Sequence, residues 1–218
     1  MIALAPHTSK LFDKVASLEC IKPYFLVGGT ALALQLNTRL SEDLDFMNWK
    51  LPKAQKPEVD WVAIEKELKT IGTIEARDIW DFNHVEFVVS GVKISFYSSE
   101  KSSPVTSPVY LKANLKLADV EAIGAMKMEV MLRRSNFRDY YDIYSILQQG
   151  TNFKKLVDIS LSYSGHVLTT KNLLAILTDS SRFQIDSGFE QLKPKYKITP
   201  ADIEVYLKTT IIREFIGS

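Results

Sequence analysis

The sequence has a single cysteine, Cys20, in 218 residues. That excludes an intrachain disulfide and a zinc site built from a cysteine cluster, and it fits a reducing compartment. No apolar run approaches the ~18 residues of a membrane-spanning helix. The first residues, MIALAPHTSKLFDK, also lack a basic segment followed by a long apolar one. A cytoplasmic chain with no membrane association is therefore expected. Excess charge of either sign is missing too: 27 Lys plus Arg stand against 26 Asp plus Glu, a formal net charge of +1. An extended nucleic-acid coat is thereby excluded, and any RNA contact has to be local. There is no internal repeat and no low-complexity tract. What the chain does have is 46% hydrophobic residues, enough to bury a core in one large domain or two small ones.

The most informative stretch is YFLVGGTALALQLNTRLSEDLDFMNWK, residues 24–50. It reads strand, glycine turn, helix, strand. Residues 24–27 form a short β-favouring apolar run that Gly28-Gly29 breaks, where a backbone turns tightly or a ligand comes close. Thr30 is the expected N-cap of a helix over 30–36, whose free N–H groups and positive dipole end would face an anion above the glycines. After Asn37-Thr38-Arg39, Leu44 and Phe46 alternate with Asp43 and Asp45. A strand there puts both carboxylates on one face, about 6–7 Å apart, and both apolar side chains on the other. Two such carboxylates repel unless a cation offsets them. An oxygen-only pair suits Mg²⁺ or Mn²⁺, which bind one or two carboxylates plus substrate phosphates. A phosphate-accepting turn beside a metal-binding pair points to phosphoryl or nucleotidyl transfer. Read separately, the two halves are a structural turn and two surface aspartates.

Gly28-Gly29, thirteen residues, then Asp43-Leu44-Asp45 resembles the signature of the nucleotidyltransferase superfamily related to DNA polymerase β. The fuller form GGTALAL…RLSEDLDF is similar to the AbiEii/AbiGii toxin family of bacterial nucleotidyltransferases. The resemblance implies a cytoplasmic enzyme that is the toxin of a toxin–antitoxin or phage-abortive system. It also implies that Arg39 and Ser41 brace the site.

Elsewhere the pattern predicts a helix over 9–18, a Pro-bearing polar connection over 51–60, and a helix over 59–68 that turns Trp61, Val62, Ile64 and Leu68 to the core. Strands are expected over 74–79, 84–89 and 92–97, the last two joined by a two-residue hairpin at Ser90-Gly91, giving a mixed sheet. In the last strand Val92, Ile94 and Phe96 take one face and Lys93, Ser95 and Tyr97 the other. Relatives carry a third acidic residue in a pattern like IKID, which VKIS at 92–95 resembles, so Ser95 stands where an aspartate would be. Glu86 on the neighbouring strand is a substitute to test; His84 reads as a strand-end or core histidine.

A Ser/Pro-rich loop over 98–108 is the expected boundary between a sheet domain (1–108) and a helical domain (109–218). Helices are expected over 119–134, with Asp119 as N-cap and Ile123, Lys127, Val130 and Arg134 on one face, and over 137–150, with Asp139 and Asp142 together at i and i+3. The remainder, to 218, is helical by pattern, with a start at Thr199 or Pro200. Lys193, Lys195, Lys197 and Tyr196 make a small basic patch that reads as an RNA or partner contact or as a solvated face. A lysine and an arginine on one face can hold triphosphate oxygens while the two aspartates orient them; a salt-bridge network is the alternative. The run Lys127, Arg134, Arg138-Asp139, Asp142 resembles the family's second signature.

Together these readings give an α+β chain with a nucleotidyltransferase sheet domain, a C-terminal helical domain, and the nucleotide between them. Asp43 and Asp45 hold the metal; Gly28, Gly29 and Thr30 cradle phosphates; Lys127, Arg134, Arg138, Asp139 and Asp142 complete the site, with Lys127 and Asp139 in catalytic roles. The substrates are an NTP and an acceptor hydroxyl on RNA, tRNA or protein, and a cognate antitoxin is the expected partner. Two alternatives stay open: a catalytically degenerate relative that binds nucleotide or a partner, and a small-molecule nucleotidyltransferase acting on an antibiotic.

Overall fold

The structure is a computed structural model and describes residues 3–49, 58–165 and 167–216. The expected connection at 51–60 lies outside the described residues over 51–57. The chain divides into two compact units, 1–119 and 120–218.

In the first unit, α1 (Pro6–Ala16) precedes β1 (Phe25–Val27), α2 (Gly28–Leu36) and β2 (Leu44–Trp49). Then follow α3 (Trp61–Ile71) and the strands β3 (Ile74–Asp81), β4 (His84–Val89), β5 (Val92–Ser99), β6 (Val109–Lys112) and β7 (Leu115–Leu117). Among the described residues these make one sheet in the order β3-β4-β5-β2-β1-β7-β6. It is mixed: β2 runs parallel to β5 and β1 to β7, while the remaining neighbours are antiparallel.

Strand alternation builds the core. Leu44 and Phe46 of β2, Ile94 and Phe96 of β5, and Val85, Phe87 and Val89 of β4 are all buried, and α1 packs against α3 and β5. Phe96 is the hub of this layer, stacked on Phe46 with ring centres 5.2 Å apart and edge-on to Tyr24 at 5.2 Å. The hairpin forms at Ser90-Gly91 with φ of 48° and 76°, the paired left-handed conformation of a tight two-residue turn.

Two expectations for this unit need correction. Residues 109–119 are not part of the helical unit: Val109–Lys112 and Leu115–Leu117 extend the sheet, and β7 pairs with β1. Their brevity hid them, since strands of three or four residues carry too little alternation to read. In α3, Ile64 and Leu68 are buried, but Val62 is 60% exposed. The helix begins at Trp61, capped by Asp60, whose carboxylate accepts from the Ala63 N–H at 3.1 Å. Val62 therefore points away from the Ile64–Leu68 stripe. Trp61 is half-buried, with the Arg77 guanidinium 4.9 Å over its ring.

The second unit contains α4 (Val120–Val130), α5 (Phe137–Leu147), α6 (Phe153–Tyr163), α7 (Thr170–Leu177) and α8 (Pro200–Ile211). The last starts at Thr199 in a full capping box with Asp202. α4 packs against α5 and α6, and α5 against α8. Helix α5 is lined with aromatics: Tyr140 stacks on Phe183 at 3.6 Å, and Tyr141 meets Phe189 at 5.1 Å. α4 ends at Val130, so Arg134 lies beyond the helix and not on its face.

Phe96→Ala is expected to cost about 3–5 kcal/mol, because a hub aromatic leaves a cavity that its neighbours cannot fill. Urea unfolding checks this; a loss under 1 kcal/mol would mean that the aromatic layer does not organise the sheet.

Candidate functional site

Three side chains, those of Asp45, Arg39 and Ser41, close over the diglycine turn. Gly28 has φ 67°, and a Cβ there would lie 2.9 Å from Asp45 Oδ2. A larger residue would be strained in backbone and would collide with the carboxylate. At Gly29 a Cβ would come within 2.5 Å of Arg39 Nη2 and 3.2 Å of Ser41 Oγ. Arg39 is buried, and its Nη1 donates to the Leu40 carbonyl at 2.9 Å. Arg39 and Ser41 thus sit beside the turn.

Thr30 is not the N-cap. The helix begins at Gly28 with Val27 in the cap position and no side-chain cap. Thr30 is buried in the first turn, and its hydroxyl contacts the Asp43 carbonyl in a short hydrogen bond and Ser41 Oγ at 2.8 Å. A hydroxyl has one proton, so Thr30 donates to the carbonyl and Ser41 donates in return. The pair ties α2 to the segment entering β2. Residues 3–5 tie the same segment from the other side: Ala5 N–H donates to the Ser41 carbonyl at 2.9 Å, and Ser41 N–H to the Ala3 carbonyl at 3.0 Å. Thr8 donates its hydroxyl proton to the Glu42 carbonyl at 2.5 Å. The backbone that delivers Asp43 is therefore held from both sides.

Asp43 lies one residue before β2, and Asp45 lies within it. The register sets Asp45 beside Ser95 of β5, and Ser95 beside Glu86 of β4. One row of polar side chains thus crosses three strands with the aromatic layer behind it. Ser95 Oγ donates to Asp45 Oδ1 at 2.6 Å. It stands on the expected face and acts as a donor to the carboxylate. Lys93 Nζ lies 3.9 Å from Asp43 Oδ2 and 4.0 Å from Glu86 Oε1. His84 Nε2 is 3.5 Å from Glu86 Oε1, at the edge of the same face.

Among the described residues no group of three or more His, Cys, Asp or Glu side chains is arranged to hold a metal ion. Glu86 therefore does not complete a three-carboxylate set with the aspartates. Asp43 is 43% exposed, and Asp45 is half-buried. Two partly open carboxylates beside a helix N-terminus fit one hard divalent cation that takes its other ligands from phosphate and water.

In the second unit Lys127, Arg134, Asp139 and Asp142 come together as a largely buried network. Lys127 Nζ meets Asp139 Oδ1 at 2.8 Å and Asp142 Oδ2 at 2.7 Å; the lysine side chain is 7% exposed and the two aspartates 0% and 1%. Arg134 grips Asp139 with both Nε (2.8 Å) and Nη2 (3.1 Å), yet its side chain is 51% exposed. The solvated salt-bridge network considered as the alternative is thus buried instead, and Arg134 is its accessible cation. Arg138 pairs with Asp186 at 3.0 Å, a partner that nothing in the sequence spacing points to. Alternation along β5 places Lys93 on the same face as Ser95.

Burial pushes the Asp139 carboxyl up, but the Lys127 ammonium and the Arg134 guanidinium more than reverse this and bring it down to about 2. A depressed carboxyl adds stability above its unfolded value near 4 and loses it as pH falls toward 2. The contribution is on the order of 2 kcal/mol. Asp139→Asn should flatten the pH dependence of unfolding between pH 5 and 2 by about that amount, and should cost ~3–5 kcal/mol at pH 7 by leaving the buried Lys127 ammonium short of a partner. Chemical unfolding across that range checks both; an unchanged acid slope would mean that Asp139 is not held ionised.

A protein of Aquifex aeolicus (strain VF5), aq_aa25, itself uncharacterised, is 24% identical over 160 residues, 72% of this chain and 73% of that protein. The fold is similar to JHP933 from Helicobacter pylori, with TM-score 0.54 and 19% identity, covering 94% of this chain and 88% of that one. It is also similar to a provisionally assigned nucleotidyltransferase from H. pylori, with TM-score 0.54 and 18% identity, covering 94% and 91%. Residues 16–208 match the family of the nucleotidyl transferase AbiEii toxin of type IV toxin–antitoxin systems, and the chain belongs to that family.

Proposed function

We propose that the protein transfers a nucleoside monophosphate from an NTP to a hydroxyl of an RNA or protein acceptor, with one Mg²⁺ or Mn²⁺ held by Asp43 and Asp45. The observation that carries this reading is Asp45 Oδ2 lying over Gly28 at the start of α2. A metal-binding carboxylate and a set of anion-binding N–H groups thereby address the same small volume. A divalent ion bound there would supply Lewis-acid polarisation of the reacting phosphate.

This chain's own residues do the rest. The N–H groups opening α2 at Gly28 and Gly29 bind phosphate oxygens, while Arg39, Thr30 and Ser41 hold the turn in shape. The acceptor oxygen bonds to the α-phosphorus, the bond to pyrophosphate breaks with its electron pair going to the leaving group, and the acceptor proton passes to a carboxylate or to water. Ser95 keeps Asp45 oriented through its hydrogen bond. In the second unit Arg134 is an exposed cation suited to an anionic oxygen, held in place through Asp139 by Lys127 and Asp142, and Arg138 is held by Asp186. The type IV system to which the family is assigned supports a cognate antitoxin as partner.

A second reading rests on Ser95: a hydroxyl where a third carboxylate would stand favours a relative that binds nucleotide without transferring it. Asp43→Asn and Asp45→Asn decide between them. Both variants are expected to lose nucleotidyl transfer by at least ~100-fold, with a melting temperature unchanged or raised in the absence of metal, because each removes one member of a repelling pair. Metal-dependent nucleotide binding in a wild-type protein that modifies no acceptor would favour the second reading. A fall of many degrees in both variants would make the aspartates structural.

A further inference from the structure

The position of Lys93 carries a step beyond this. Lys93 and Ser95 share one face of β5; the register sets Ser95 alongside Asp45, while Lys93 and Asp43 each directly precede the first registered pair, Ile94 and Leu44. The ammonium sits almost equidistant from Asp43 Oδ2 (3.9 Å) and Glu86 Oε1 (4.0 Å), and its side chain is 42% exposed. It bridges two carboxylates without closing a tight pair with either, and it remains open to solvent on the face that carries Asp45.

The face that carries Asp43, Asp45 and Glu86 thus also carries the Lys93 ammonium and the neutral Ser95 hydroxyl, while the Arg39 guanidinium braces the glycine turn. A third carboxylate would draw in a second divalent ion. Here the place beside Asp45 is taken by a hydroxyl that donates to it at 2.6 Å, and an ammonium stands within about 4 Å of the two flanking carboxylates. A dication at that spot would be repelled by Lys93 and compete with it for the same oxygens. A lysine is a compact point charge suited to phosphate oxygen.

We propose that Lys93 supplies the second positive charge of the site, so that it works with one divalent ion and an ammonium in place of two metals. The ammonium contacts anionic oxygen of the reacting phosphate and offsets the charge that develops there. This rests on the nucleotidyl-transfer reading given above, and the experiment separates the two.

Mn²⁺ alone is titrated into the full chain and its binding followed by electron paramagnetic resonance and calorimetry, for the wild type, Lys93→Met, Lys93→Arg and Asp45→Asn. The wild type is expected to bind one ion and Asp45→Asn to lose it. Lys93→Met should bind Mn²⁺ roughly threefold to tenfold more tightly, because a competing cation is gone, and should admit a second ion, while transfer falls at least ~10-fold. Lys93→Arg should keep the single-ion stoichiometry and part of the rate. A role confined to folding would not produce tighter metal binding together with slower transfer. Unchanged Mn²⁺ affinity and stoichiometry in Lys93→Met, or two ions in the wild type, overturns the proposal for Lys93 alone. Undiminished Mn²⁺ binding in Asp45→Asn overturns the carboxylate site itself and this proposal with it.

Discussion

Two carboxylates two residues apart at the start of one strand repel each other, and the first unit is built to hold them where they are. β2 lies inside the sheet with β5 on one side and β1 on the other. The side of β2 opposite Asp45 is buried in Phe46, Phe96 and Leu44. Slipping the pairing by one residue would bury the aspartates and expose the phenylalanines, so the aromatic layer fixes the register, and the register fixes the polar row. The segment before Asp43 is fastened by Thr30 of α2, which reaches Ser41 and the Asp43 carbonyl, and by residues 3–5, which bridge to Ser41.

The second unit solves a different electrostatic problem. Lys127 is charged inside a helical core, which is tolerable only because Asp139 and Asp142 both reach it. Arg134 shares Asp139 and carries positive charge from that buried cluster to solvent. The two bonds to Asp139 hold the Arg134 guanidinium in place while half of its side chain stays open to solvent. Conserving the charge pattern while burying three of its four members makes the network rigid and acid-sensitive together.

Much of this is legible in the amino-acid sequence where periodicity is strong. The alternation Asp43-Leu44-Asp45-Phe46 and Val92 to Tyr97 assigns faces correctly, and Ser90-Gly91 announces its hairpin. Strands of three and four residues such as Leu115–Leu117 do not show a period, so the sheet extends past the Ser/Pro-rich loop that reads as a boundary. Thr30 looks like a helix cap because threonine favours that position; the helix opens at the glycines before it instead, where Gly28 takes a positive φ under Asp45 that a larger residue would not tolerate. The depth of Lys127 and the pairing of Arg138 with Asp186 depend on tertiary packing, which residue spacing does not encode.

Nucleotidyl transfer, as proposed for this chain, moves the α-phosphate of the NTP and leaves the γ-phosphate in pyrophosphate. The direct measurement gives the protein NTP labelled at either the α- or the γ-phosphate, together with divalent metal and cellular RNA and protein fractions. The α-label is expected to become acid-insoluble on an acceptor while γ-label is released as pyrophosphate. Transfer of γ-label to the acceptor, or its release as orthophosphate, would contradict nucleotidyl transfer.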